Sequence, residues 1–228
     1  MRTAFSRALV LLAMAALPSA AWSPEFHEVQ TTRAAGLLPQ RMGAFLGTYR
    51  RDLLVGARGQ SNDQVPTVEA VEDQFRRIVE LTEERKRPER IVRELGVLAH
   101  QVQLLSDPSA IVGASPLRDA FMAYGDENLP RLVLTLEPFW AVRAPLDPRP
   151  RLLQWARTKY ERHQALCQCF DESTGRRVGT WDELSVPFAM LQLSFSNGVN
   201  ATANIWIQLW RAVGDQWDVP QDEPTTSH

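Results

Sequence analysis

Residues Pro88 to Leu105 read PERIVRELGVLAHQVQLL, and their spacing decides the fold. Ile91, Leu95, Leu98, Val102 and Leu105 recur every three or four residues, the pattern of one apolar helical face. His100 sits off that stripe, flanked by Val97 and Leu104 one turn before and after it. The helix is therefore apolar on two sides, which fits a central, enclosed position. Pro88 stands where a first-turn proline belongs.

Working outward, the remaining chain also reads as helices. Ser23-Pro24 is a cap followed by a first-turn proline, and Glu25 to Ala35 follows as a helix. Pro39 to Val55 is a second, ending before the loop GARGQSND. Thr67 caps a third, with Val71, Phe75, Ile78, Val79 and Leu81 on one side. Segments 116–137 and 150–170 read as further helices, and a last pair, 182–195 and 198–213, precedes an acidic, Pro-containing tail at 215–228 that is expected to be mobile. Period-two alternation is scarce and no repeat period stands out. The expected class is all-α, a compact multi-helix single domain over residues 22–214.

The N-terminus reads as an export signal. Arg2 and Arg7 give a positive n-region, Ala8 to Leu17 an apolar core, and Ser19 and Ala21 the small residues of a cleavage site. The apolar run is too short for a permanent span, so residues 1–21 are expected to be removed and the mature chain to start at Trp22, in the periplasm or outside the cell. Removing Arg2 and Arg7 takes the formal charge from −2 to −4, so bulk electrostatics argue against general nucleic-acid binding. No later run is long enough to cross a bilayer. The two cysteines, Cys167 and Cys169, are too few for a disulfide framework and read as free thiols.

Candidate chemistry gathers on histidine. His27 lies beside the mature N-terminus, His100 on the central helix and His163 on a face with Tyr160, Leu166, Cys167 and Phe170, read as enclosed. His163 and Cys167, four residues apart on a helix, have a spacing that zinc sites use. Several features carry no function: EERKRPER (83–90) reads as a solvated corner, the sequon at Asn200 falls in an apolar helix, and Trp206 and Trp210 read as core.

An exported all-α chain opening with Trp22 and bearing His27 five residues later resembles the zinc-dependent phospholipase C and single-strand nuclease superfamily. The resemblance implies that the α-amino nitrogen and carbonyl oxygen of Trp22 bind zinc once cleavage frees them, with His27 as the family's first histidine. LVGARGQSND resembles the family loop that ends in a metal-binding aspartate, here Asp63. LGVLAHQVQLLSDPSA resembles the central motif, with Leu95, Gly96, His100 and Pro108 in register. The closing VPFAMLQLSFSNGVNATANIWIQLWRAVG is similar to the last helices of bacterial members.

The chain departs from that pattern at defined places. The aspartate four residues after the central histidine is Leu104 here, the following histidine is Ala110, and Cys167 stands where a carboxylate would follow His163. No histidine lies between Asp63 and His100. The family's three-zinc site takes five histidines, and this chain has three outside its extreme C-terminus. Asp107 is the candidate replacement for the lost bridging aspartate. The candidate ligands are Trp22, His27, Asp63, His100, Asp107, His163 and Cys167, for one zinc rather than three, with no zinc at all as the alternative. The expected function is a divergent exported zinc-dependent phosphodiester hydrolase, phospholipase C-like or nuclease-like, acting on a phospholipid headgroup or another phosphodiester. The alternative is a non-catalytic periplasmic or envelope binding protein on the same scaffold. Convergence of Trp22, His27, His100 and His163 would favour the first, and scattering or apolar sealing the second.

Overall fold

The computed structural model describes residues 22–59, 65–111, 115–137, 143, 145–171, 173–174, 176–214 and 217. The expected signal peptide, Asp63 and all of the 215–228 tail except Trp217 lie outside these residues. Eight α-helices carry the described chain: α1 Pro24–Ala35, α2 Gln40–Thr48, α3 Arg50–Ala57, α4 Val68–Glu83, α5 Pro88–Ser106, α6 Pro116–Asn128, α7 Arg149–Cys167 and α8 Val186–Ala212. The class is all-α. A two-residue antiparallel ladder, β1 Phe170–Asp171 with β2 Arg176–Arg177, is the strand pairing among the described residues.

The helix starts follow the capping signals. Ser23 Oγ accepts from the Phe26 amide, Thr67 Oγ1 from Ala70 and Ser185 Oγ from Phe188, each relieving one of the amides that a helix start leaves unpaired. α5 is central, as its two apolar sides require. It packs against α3, α4, α7 and α8, and Leu95, Leu98, Ala99 and Val102 are fully buried. Against α3 the approach is set by a glycine pair: a Cβ on Gly96 would stand 2.1 Å from the Leu53 carbonyl, and one on Gly56 2.0 Å from that of Arg93. On the other side, the Trp206 indole of α8 donates to the Leu95 carbonyl at 3.2 Å.

Four elements differ from the sequence expectation. The single helix expected over 39–55 is two, broken at Tyr49 (φ −108°, ψ 29°). The helix expected over 116–137 stops at Asn128, a 3₁₀ turn follows through Pro130, and residues 132–137 run without helix. These residues are held by a polar row on α8: Gln192 Oε1, Ser196 Oγ and Asn200 Oδ1 accept from the amides of Val133, Thr135 and Glu137 at 3.0, 3.1 and 3.3 Å. Four helical residues rise about 6 Å and two extended residues about 6.6 Å, so the two periods match. The pair of helices expected over 182–195 and 198–213 is one unbroken helix, α8. Gly198, inside this helix, seats the Gln30 amide, 2.2 Å from where a Cβ would lie, and Gln30 donates to the Ser194 and Phe195 carbonyls. Finally, Trp217 in the expected mobile tail is buried, stacked on Phe45 at 5.7 Å and donating to Thr82 Oγ1 at 3.0 Å.

Candidate metal centre

α1 and α5 bring His27 and His100 together, with ring centroids 4.2 Å apart. Both are buried, at 0% and 4% exposure. Gln103, one turn beyond His100 on α5, accepts from His27 Nδ1 at 2.6 Å through its Oε1, and its amide donates to Thr31 Oγ1 at 3.0 Å. Because an amide oxygen only accepts, the proton of His27 belongs on Nδ1, and Nε2 is left with a lone pair. No described group bonds that Nε2. Burial, and then the neighbouring His100, lower the His27 pKa to about 3, so the ring is neutral. A neutral imidazole whose far N–H is held by an oxygen acceptor is the state in which histidine binds zinc. By donor chemistry His27 fits a metal ligand, with the His100 ring beside it.

Of the other candidate ligands, Trp22, His163, Cys167 and Asp107 have partners of their own. Trp22 is buried with its ring stacked on Phe26 (4.3 Å) and tilted against Phe121 (5.3 Å), over Gly125. The adjacent Ser23 hydroxyl donates to Asp126 Oδ1 at 2.6 Å, fastening the start of α1 to α6. His163 Nδ1 donates to the Pro108 carbonyl (2.9 Å), and Cys167 Sγ lies 3.3 Å from its Nε2. A carbonyl takes only a donor, so Nδ1 carries the proton and the thiol faces the ring lone pair. The face expected to be enclosed is in part open, with Tyr160 58% exposed. Neither Cys167 nor Cys169 is in a disulfide, and both are half-buried.

Asp107 is where α5 ends. Its backbone is extended (φ −81°, ψ 116°), and its carboxylate accepts from the Ser109 amide and hydroxyl at 2.8 to 2.9 Å. Burial raises its pKa, and the Ser109 bonds and the Arg118 and Lys159 charges oppose the rise. Its neighbours are thus serine and two cations. Among the described residues no group of three or more His, Cys, Asp or Glu side chains comes close enough to hold one ion. The structure therefore brings together two candidate ligands at His27–His100 and two at His163–Cys167.

Gln103 escaped the sequence reading. Its signal was position: a glutamine three residues past a buried histidine, on a helix apolar on two sides, must find polar partners inside. Arg118 and Lys159, two buried cations, also gave no sign in the sequence.

The chain is similar to a solved structure, that of Clostridium perfringens alpha-toxin isolated from avian strain SWCP. The TM-score is 0.61 at 12% identity, over 90% of this chain and 66% of that chain. About a third of the toxin thus has no counterpart here. Neither a protein-family model nor a curated protein sequence matches the chain. Among the described residues no helix is long and apolar enough to cross a membrane. At this identity the likeness speaks for architecture: the chain has the all-α fold that it shares with alpha-toxin.

Proposed function

We propose that this protein is a divergent, exported phosphodiester hydrolase of the zinc-dependent phospholipase C and nuclease type, with its metal site reduced to one ion around His27 and His100. The observation that carries the reading is the orphan Nε2 of His27, buried beside a second imidazole and oriented by Gln103. The toxin-like fold and the sequence resemblance point the same way. In this reading Trp22, freed by signal cleavage, and Asp63 complete four donors. The chain's own residues supply the rest: Gln103 fixes the tautomer of His27, and burial keeps the ring neutral. A zinc ion bound there would lower the pKa of a bound water toward neutrality.

The test pairs stability with turnover in the processed protein. Zinc should raise the melting temperature of wild type but not of His27→Ala, and a phosphodiester screen should give zinc-dependent turnover with wild type alone. A melting temperature indifferent to both zinc and chelator would refute the metal reading. A second reading, a non-catalytic envelope binding protein, is favoured by the near-complete burial of both histidines. It predicts bound zinc at most, with no turnover of any phosphodiester.

A further inference from the structure

A second polar site lies about 9 Å along α5 from His100, since Ser106 on its wall is six residues further on. It is a cavity of about 110 Å³ between α5, α7 and α8, room for several waters or one small anion. The α7 wall carries Arg151, Lys159 and Arg162; the α8 wall carries Asn197, Asn200 and Asn204, and Glu137 stands across from them. The lining is thus three cations against one carboxylate.

Most of these groups already have partners. Asn200 is bonded to residues 135 and 137, and Asn204 donates to the Asn200 carbonyl. Arg151 donates to Gln154 at 2.6 Å. Arg162, with the Asn197 amide turned oxygen-inward, donates to it at 2.8 Å and feels Glu137 and Glu161. Lys159 differs. It is 5% exposed, it lines the cavity, and among the described residues its ammonium has neither hydrogen bond nor ion pair. Behind it, Arg118 is buried with Nε and Nη2 unbonded. Arg118 faces two carboxylates, Asp107 and Asp119, whereas Lys159 faces Asp107, which is satisfied by Ser109 instead. A buried ammonium without a bonded counter-charge is costly, so the Lys159 end of the cavity favours an anion.

We propose that the cavity binds a phosphate oxyanion, free or as a phosphate ester, with the Lys159 ammonium as its principal counter-charge and Arg162 beside it. A tetrahedral oxyanion offers several acceptors to converging donors, and charge-assisted bonds of this kind are the strong ones. The site needs no metal and does not rest on the hydrolase reading.

The test is calorimetric titration of the processed, chelator-treated protein with inorganic phosphate and, separately, with glycerol 3-phosphate. Wild type should bind saturably. Lys159→Met should fold, as judged by circular dichroism, and bind phosphate about tenfold or more weakly, the loss of one charge-assisted bond. Lys159→Arg should retain binding, and His27→Ala should bind as wild type does. Tighter binding of glycerol 3-phosphate would identify an ester as occupant, and tighter binding of phosphate the free anion; both support the site. No saturable binding by wild type, undiminished binding by Lys159→Met, or loss in His27→Ala would overturn it.

Discussion

Replacing Gly96 by alanine sets helix propensity against packing at the crossing that carries the central helix. In an isolated helix the change would stabilise by about 1 kcal/mol. Here the new methyl would stand 2.1 Å from the Leu53 carbonyl oxygen, 2.8 Å from the Ala57 nitrogen and 3.0 Å from the Gly56 Cα. All three are backbone atoms, so no side chain can turn aside. Ordinary contact begins near 3.4 Å, and α3 must retreat by more than 1 Å to reach it. Overpacking of this kind costs typically 1–3 kcal/mol, and a backbone-on-backbone clash belongs at the upper end. The net expectation is a loss of about 2 kcal/mol, or roughly 4–8 °C in melting temperature for a chain of this size. Thermal unfolding followed by circular dichroism measures it. Gly56→Ala should behave alike, and the double variant should lose less than the two losses added, because one separation accommodates both methyls. A melting temperature equal to or above wild type would mean that propensity wins and that the two helices do not meet backbone to backbone.

Three further outcomes follow from the site and its supports. Gln103→Leu removes the acceptor of the His27 N–H and the donor to Thr31, so chemical denaturation should show a loss of about 1–3 kcal/mol, with weaker zinc retention; unchanged zinc content would show that Gln103 does not orient a ligand. Trp22→Ala empties a stacked, buried indole site and should cost about 3–5 kcal/mol; a loss below 1 kcal/mol would place Trp22 outside the core. For pH, His27 is held neutral in the folded chain with its pKa lowered from 6.5 to about 3. The unfolded chain binds a proton there first, so the metal-free protein should be fully stabilised above pH 6.5. It should then lose about 1.4 kcal/mol per pH unit as pH falls toward 3, and His27→Gln should flatten that slope.

The helices were legible where local chemistry decides them. Ser23-Pro24, Thr67 and Pro88 set helix starts that tertiary packing leaves intact, and the three-four spacing of Ile91 to Leu105 gave the central position of α5. What stayed hidden depends on distant partners. The unbroken α8 is one case, where Gln30 of α1 packs on Gly198 and bonds the Ser194 and Phe195 carbonyls across the gap expected between two helices. The Gln192, Ser196 and Asn200 row looks like scattered polar residues until residues 133–137 lie along it. The site was half legible for the same reason. His27 and His100 were singled out as candidates, but their contact depends on α1 crossing α5, and Gln103 has meaning only once His27 is beside it. Asp107 was read as a stand-in ligand, whereas the break at the end of α5 turns its carboxylate onto Ser109 and toward Arg118 and Lys159.

The central claim is that His27 and His100 form the surviving half of a zinc site. Elemental mass analysis of the processed protein, gently purified without chelator, tests it most directly when run beside the His27→Ala variant. The account predicts about one zinc per wild-type chain, in keeping with a four-donor site, and little in the variant. A folded, correctly processed wild-type protein with no zinc, or a variant that retains it fully, would contradict the account.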